Sequence, residues 1–431
     1  MWQAIIITEG INNTAKQSKS ECIVNQQQAG AWSPTTANAA NAGQIIAAPS
    51  ERITSTPVTF SGTGGEYFRI WIVNLLLILV TLGLYLPWAK VRKLKYFYNN
   101  TRVDDHALEF HGEPKKMLRG MAIVGVFFLA FSWASEISLA AAAIATLVFL
   151  VVAPALFRAA MRFRLANTSW RGMRMRFVAQ GYREAYACVV IPLAMVLLPG
   201  LLLGLFGSGE AKARQEGMNV MGGTIGVLML LYAVLLPYFF WRIKRYQHNN
   251  YAWGPLTSSY QSGVNATYKI FGMTLVMVLA VLLLFTGLLY LIVPALFKGQ
   301  SGWGGMGVAL LFVLPLMFLF FAVINILPRA YFTANMQNLL WSRTGNRYFR
   351  FKSELGSTPF IALQFKNYFL ILITLGLYWP FAVIATMRMR IDALSLRTRV
   401  DMESLYDAAR ARENDAAGDM AADVFGFDVG M

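Results

Sequence analysis

The stretch PWAKVRKLKYFYNNT, residues 87–101, decides the class of this chain, because the chain repeats it. A second clean copy, PALFRAAMRFRLANT, occupies residues 154–168. Each copy starts at a proline that closes an apolar run, passes through basic and aromatic residues, and ends in Asn-Thr. Looser copies start at Pro237 and Pro328. In all four, an aromatic residue follows the proline 23 positions later: Phe110, Phe177, Tyr260 and Phe351. A fixed spacing between long apolar runs marks one supersecondary unit copied along the chain. Each unit has an aromatic entry and a proline exit; the last exit is Pro380.

Composition agrees with a membrane setting. Of 431 residues, 56% are hydrophobic and 14% charged, against about 25% charged in an ordinary soluble domain. Several runs reach the ~20 residues a helix needs to cross hydrocarbon; residues 187–206, 271–297 and 308–327 are examples. The net charge of +16 gathers after the prolines: Lys90, Arg92, Lys93 and Lys95; Arg158, Arg162 and Arg164; Arg242, Lys244 and Arg245. Lysine and arginine beside spans stay on the cytoplasmic side and attract anionic lipid. These ten side chains are the candidate contacts to lipid phosphate. Nucleic-acid binding has no fold signature here. Two cysteines, Cys22 and Cys188, make no disulfide framework.

The second, third and fourth units each hold enough apolar sequence for two spans, dividing near Ser135-Glu136, residues 207–223 and residues 298–305. The first and fifth are shorter and match each other: NLLLILVTLGLYLP from Asn74 and NYFLILITLGLYWP from Asn367. Thr101-Arg-Val-Asp returns as Thr398-Arg-Val-Asp, displaced by four residues, the length of about one helical turn. Each short unit has room for one span or for two half-helices. Single spans would place Arg388, Arg390, Arg397 and Arg399 outside, against the charge rule. Either the last segment does not cross, or the two copies form an inverted repeat of the transporter kind.

After each proline a basic–aromatic helix is expected along the membrane surface. A strand–turn–strand follows, with a turn at Asp104-Asp105 in the first copy. One hairpin is marginal in water, but four or five held together could pair into a small cytoplasmic sheet.

Candidate functional positions are few. Asn74 and Asn367 are the matched intramembrane polar pair, with helix bridging favoured over ligand binding. Thr81 and Thr374, with Gly83, Pro87, Gly376 and Pro380, mark candidate helix breaks. Glu136, the single acid in its apolar stretch, reads as part of a turn at the membrane surface. His106, His111 and His248 lack tetrahedral metal-ligand spacing, so no metal or cofactor is expected. No GxSxG, HExxH or P-loop sequence occurs, and the chain reads as a non-enzyme.

The element TLGLYLPWAKVRKLKYFYNNT (81–101), with EFHGEP (109–114) after it, resembles the YjgN-type bacterial inner-membrane proteins. The resemblance covers roughly residues 58–400. It implies a multi-pass protein of the inner membrane and transfers no catalytic residue, because that family has no established activity. The chain departs from the pattern in its long polar N-terminus and in its fourth unit, where Trp341-Ser-Arg-Thr stands for Asn100-Thr-Arg.

The expectation is therefore an all-α polytopic membrane protein with about eight hydrophobic segments and short cytoplasmic β-hairpin connectors. Residues 1–57 form a disordered polar tail, 58–400 the repeat-built membrane domain, and 401–431 an acidic tail. A contact between that tail and the basic connectors is a minor alternative. Expected partners are membrane lipids, chiefly anionic, with a homo-oligomer and an unidentified small solute left open. Two functions compete: transport or a channel for a small solute or ion, and a scaffold that engages anionic lipid.

Overall fold

A computed structural model describes residues 53–411, apart from residues 180, 207–210, 255, 298–302, 402, 405 and 408. The expected breaks of units three and four thus lie partly, and the tails mostly, outside the described residues.

Ten helices form five pairs among the described residues. Unit one holds α1 (Gly64–Val80) and α2 (Leu86–Asn99). Unit two holds α3 (Pro114–Ile137) and α4 (Leu139–Ala166), and unit three α5 (Arg183–Phe206) and α6 (Ala211–Asn249). Unit four holds α7 (Val264–Phe297) and α8 (Trp303–Ser342), and unit five α9 (Ser357–Ile373) and α10 (Trp379–Asp392). Their strongest contacts are between chain neighbours, and α10 returns to pack on α1. The helices therefore stand in a ring.

Eleven short strands lie at one end of it: β1 (Thr54–Phe60), β2 (Thr101–Val103), β3 (His106–Phe110), β4 (Thr168–Trp170), β5 (Met173–Phe177), β6 (Tyr251–Trp253), β7 (Leu256–Thr257), β8 (Ser259–Tyr260), β9 (Thr344–Gly345), β10 (Phe349–Ser353) and β11 (Leu394–Thr398). They join in one antiparallel sheet whose order follows the chain, from β1 through β7 on one side and from β8 through β11 on the other, with β1 on β11. The two ends of the sheet, β7 and β8, are separated by Ser258 alone. Side chains tie the residues at this seam to α6 and β9. The Ser258 hydroxyl lies 2.5 Å from the His248 carbonyl, Tyr260 N donates to Asn249 Oδ1 (2.7 Å), and Ser259 Oγ donates to Gly345 O (2.9 Å).

This corrects the all-α expectation. The connectors are not isolated hairpins beside the membrane domain; they are one nearly closed sheet that every unit helps to build. Strands of two or three residues cannot bury a face or satisfy their backbone alone, whereas in this sheet every strand but β7 and β8 is paired on both edges. The count of eight segments also fails. Units one and five each divide into two short helices, and among the described residues five helices are long and apolar enough to cross a membrane. Those five run over residues 114–134, 140–166, 222–249, 264–292 and 311–342.

The 23-residue spacing now has a cause. Thirteen residues separate Pro87, Pro154 and Pro237 from the helix-ending asparagines Asn100, Asn167 and Asn250. Each asparagine side chain donates to the carbonyl four residues back, at 2.8, 2.7 and 2.7 Å. A terminal carbonyl that the helix leaves open is satisfied there. Thr101, Thr168 and Thr344 do the same from the first strand residue. A hairpin then leads to the entry aromatic. Phe60, Phe110, Phe177 and Tyr260 face Thr101, Thr168, Tyr251 and Thr344, the same register four times.

The surface helices anticipated after each proline are not separate elements in the middle units. Pro154, Pro237 and Pro328 lie inside α4, α6 and α8, so the basic segment is the last turns of the long helix itself. The four-residue displacement of the second Thr-Arg-Val-Asp is likewise not a helical turn. α10 ends at Asp392 and the extra residues lengthen β11, which places Thr398 opposite Thr54. Thr54–Pro57, expected in the tail, belong to β1.

The ring interior is filled. Val103, Leu108, Trp170, Met175, Trp253, Leu256, Phe349, Phe351 and Leu396 pack with Tyr348 and Val400 into one apolar cluster. Trp170 and Trp253 meet with ring centroids 5.0 Å apart. The chain after β11 continues beneath it: Tyr406 donates to Arg171 O (3.1 Å), Glu403 accepts from Arg171 (2.6 Å), and Ala409 is fully buried. The beginning of the acidic tail therefore contacts one connector.

At Gly345 the backbone itself fills the space a side chain would need. A Cβ there would sit 2.6 Å from the Phe349 carbonyl oxygen and 2.7 Å from Arg350 Cα, both backbone. Gly345→Ala is expected to lower thermal stability in detergent by about 1–3 kcal/mol, the usual cost of forced overpacking. Gly65→Ala, whose Cβ would meet nothing within 4 Å, is expected to leave it unchanged.

Candidate functional site

Two features hold the candidate residues: the matched hairpins of units one and five, and the basic ends of α2, α4 and α6.

The hairpins turn at TLGLY. Leu82 and Gly83 have φ of 49° and 92°, and Leu375 and Gly376 have 50° and 93°. Thr81 Oγ1 donates to Leu77 O (2.7 Å) and accepts from Tyr85 N (3.0 Å); Thr374 repeats this with Leu370 O (2.7 Å) and Tyr378 N (2.9 Å). Glycine takes the second left-handed position without steric cost. Pro87 and Pro380 then open α2 and α10 in the first turn, where a missing N–H costs nothing. At 17 and 14 residues, α1 and α2 rise about 25 and 21 Å, short of a ~30 Å hydrocarbon core. Each pair enters and returns on the sheet side.

The orientation conflict disappears with this geometry. Both copies point the same way and touch: Phe68 packs on Phe381, Arg388 donates to Gly62 O (2.8 Å), and Phe60 N donates to Asp392 Oδ1 (3.1 Å). They are neighbours in the ring, not an inverted repeat. Arg388 and Arg390 lie on α10 and Arg397 on β11, all toward the sheet. By the charge rule that is the cytoplasmic face.

Asn74 and Asn367 are buried, each inside its hairpin. Asn74 Oδ1 accepts from Arg92 Nη1 at 3.4 Å. Asn367 Nδ2 lies 3.3 Å from Ala382 O and 3.2 Å from Thr386 Oγ1. Both side chains bridge the two helices of a pair; the structure does not bring them together at one site. Glu136 is exposed at the end of α3, two residues before Ser138 caps α4 by accepting from Ala141 N (3.1 Å).

The basic residues fall into three kinds. Lys90, Arg92, Lys93 and Lys95 on α2 are exposed, as are Arg162, Arg164 and Arg245. Arg242 and Lys244 are half-buried. Arg158 is buried and committed: it donates to Ala179 O (2.5 Å) and Gly181 O (2.7 Å) and stacks 4.3 Å over Tyr182. Its cation fastens the connector to α4 and is closed to lipid. Aromatic rings carry several of the others, Lys93 over Phe97 and Arg245 over Trp241.

The chain matches, over residues 55–424, the family described as "Bacterial protein of unknown function (DUF898)". The chain belongs to this family. It is similar to inner membrane protein YjgN of Escherichia coli (strain K12), 31% identical over 131 residues, which are 29% of this chain and 32% of that protein. It is also similar to inner membrane protein YjgN of Salmonella typhimurium, 32% identical over 72 residues, 17% of this chain and 18% of that one. The aligned stretches thus span about a third or less of these relatives' length. No solved structure matches. With its apolar helices, the protein is an integral protein of the bacterial inner membrane.

Sequence reasoning missed the buried staple of Arg158 and the polar seam around His248. His248 is buried and its Nδ1 lies 2.8 Å from Thr344 Oγ1, which itself donates to Leu340 O. The Thr344 hydroxyl has one proton, so His248 Nδ1 carries the hydrogen between them. His111 lies 2.7 Å from Ser169 Oγ and 3.3 Å from Glu109 Oε2. Nothing in the sequence placed either histidine against a strand 58 or more residues away.

Replacing both bridges, Asn74→Leu with Asn367→Leu, is expected to destabilise the folded protein by about 1–2 kcal/mol, since membrane hydrogen bonds average near 0.6 kcal/mol each. Thermal unfolding in detergent reads this, and an unchanged midpoint would show that the bridges carry no stability.

Proposed function

We propose that this protein is a lipid-engaging membrane scaffold: a ring of hairpins that gathers anionic lipid on its cytoplasmic face without catalysis. The observation that carries this reading is the exposed cationic run Lys90, Arg92, Lys93 and Lys95 on α2, beside the half-buried rings of Trp88, Tyr96 and Tyr98. Among the described residues none of these four cations is in an ion pair. Long cations and interfacial rings at one level suit phosphate headgroups. Each cation near an anionic surface contributes about 1 kcal/mol.

The transport reading draws less support. A solute moving along the ring axis would meet the apolar cluster of Trp170, Trp253, Leu256 and Leu396 inside the sheet. The hydrogen bonds that the two buried asparagines make lie within their own hairpins.

Neutralising the run (Lys90→Gln, Arg92→Gln, Lys93→Gln, Lys95→Gln) is expected to cut phosphatidylglycerol retention in native mass spectrometry at least tenfold, with phosphatidylcholine retention unchanged. Equal phosphatidylglycerol retention by both forms would overturn the scaffold reading.

A further inference from the structure

The contact between Arg171 and the chain after β11 is one of several along the same path. β11 ends at Thr398, and Arg399 N donates to Tyr348 O (3.0 Å) in the turn between β9 and β10. Val400 is buried in the interior cluster. Asp401 then caps a helical stretch, its Oδ2 accepting from Glu403 N (3.1 Å) and Ser404 N (3.3 Å). Glu403 and Tyr406 reach Arg171, in the turn between β4 and β5. Ala409 lies against Gly254, in the turn between β6 and β7. A Cβ on that glycine would come within 3.3 Å of Ala409 Cβ and 3.8 Å of Met173 Sδ. On the shorter way round the sheet, β1, β2 and β3 stand between β11 and β4. The chain therefore crosses the opening of the ring instead of following its rim. Each of these turns joins a strand that leaves one helix to a strand that leads into the next, so the turns mark the end farthest from the helices. The crossing covers that cytoplasmic mouth, where Trp170, Met173 and Val400 are buried.

Arg171 holds the crossing chain. Its backbone is left-handed, with φ of 51°, ahead of Gly172 at 82°. Asn, Asp or Gly suits the first place of such a turn, and unit one has Asp104 in that conformation, at 52°. Arginine is costlier there, and what it supplies is directed at the crossing chain. Its Nη2 donates to Glu403 Oε2 (2.6 Å), and its carbonyl accepts from the Tyr406 hydroxyl (3.1 Å). Its guanidinium lies 4.3 Å from the centre of the Tyr406 ring and 6.0 Å from that of Trp170. One residue joins the crossing chain to the apolar interior. The two charged partners differ in exposure: the Arg171 side chain is 10% exposed and that of Glu403 61%. A carboxylate so open to water is within reach of screening ions. Among the described residues of 401–411, Ala409 alone is buried. The attachment consists of polar contacts to one arginine and one small side chain, without the main-chain ladder that holds each strand.

We propose that residues 401–411 are a releasable strap, latched by charge at Arg171, that closes the cytoplasmic mouth of the sheet when seated and uncovers the interior at Trp170 and Met173 when released. Glu403, Tyr406 and Ala409 stand three residues apart, on successive turns of one helix side, which is why all three meet the sheet. The seated strap is an autoinhibitory contact: the chain's own carboxylate and ring occupy the Arg171 guanidinium. None of this involves the α2 cations, so the strap stands or falls apart from the scaffold reading.

The test uses the full-length protein in detergent, with Cys22 and Cys188 changed to alanine. Met173→Cys places a thiol under the strap, and Asp407→Cys places one on its exposed side. Maleimide labelling of Met173→Cys is expected to be at least about tenfold slower than that of Asp407→Cys, because it waits on local opening. Ala409→Glu, whose side chain cannot enter a fully buried position, is expected to remove most of that difference. Glu403→Gln is expected to quicken labelling of Met173→Cys about two- to fivefold, the range of a partly exposed ion pair. Raising salt from about 0.05 to about 0.5 M is expected to quicken it with Glu403 present and to change nothing in Glu403→Gln. A Met173→Cys rate that Ala409→Glu leaves unchanged overturns the strap. A rate indifferent to both Glu403→Gln and salt overturns the latch, and release with it. Should Ala409→Glu lower the unfolding midpoint of the whole protein, Glu403→Gln, a change at an exposed side chain, must still quicken labelling, and its failure to do so overturns the proposal.

Discussion

Main-chain pairing between the two ends of the chain is the constraint on which this fold depends. β1 and β11 meet over Thr54–Pro57 and Ser395–Thr398, and the last helix packs on the first. Without that ladder the sheet would divide into two strips, β1–β7 and β8–β11, each with a further exposed edge. With it, every strand but β7 and β8 is paired on both edges, and the apolar side chains of all five units fill one common interior. The ring also explains why most span residues stay exposed in the isolated chain: each helix touches its two neighbours, and lipid must cover what remains.

A ring of this kind sets the spacing of the sequence. The proline-to-aromatic distance is constant because each unit must deliver its hairpin to the same height with the same register. Loops at the far ends of the helices carry no such restriction, so the units differ there in length. Units one and five reach only part of the way, turning at Gly83 and Gly376. Their shortness brings Phe68 against Phe381 and helps to close the circle.

Much of this was legible in the sequence. The prolines, the basic runs, the Asn-Thr pairs and the twinned TLGLY elements all marked real features, since each acts through neighbours within about one helical turn. The sheet as a whole was not legible. Thr54 and Thr398 pair across nearly the full chain, and a two-residue strand such as β7 has no periodicity to read. The second Thr-Arg-Val-Asp misled for the same reason: an offset of four suggests a helical turn until the strand partner is known. At the candidate site, charge and spacing showed where cations gather. They could not tell Arg158, fastened to two carbonyls, from Arg164 a few residues on, because that difference is made by the connector folding back over α4.

Closure can be tested directly. Cysteines replacing Thr54 and Thr398, in a chain whose Cys22 and Cys188 are changed to alanine, should face each other at cross-strand distance, about 5 Å between Cβ atoms. After treatment with a short thiol cross-linker in native membranes, followed by proteolysis between the two sites, the account predicts that the N- and C-terminal fragments of a single chain stay joined. Fragments that separate, while a control pair at Thr59 and Arg102 cross-links, would show that the ring is open and would contradict the account.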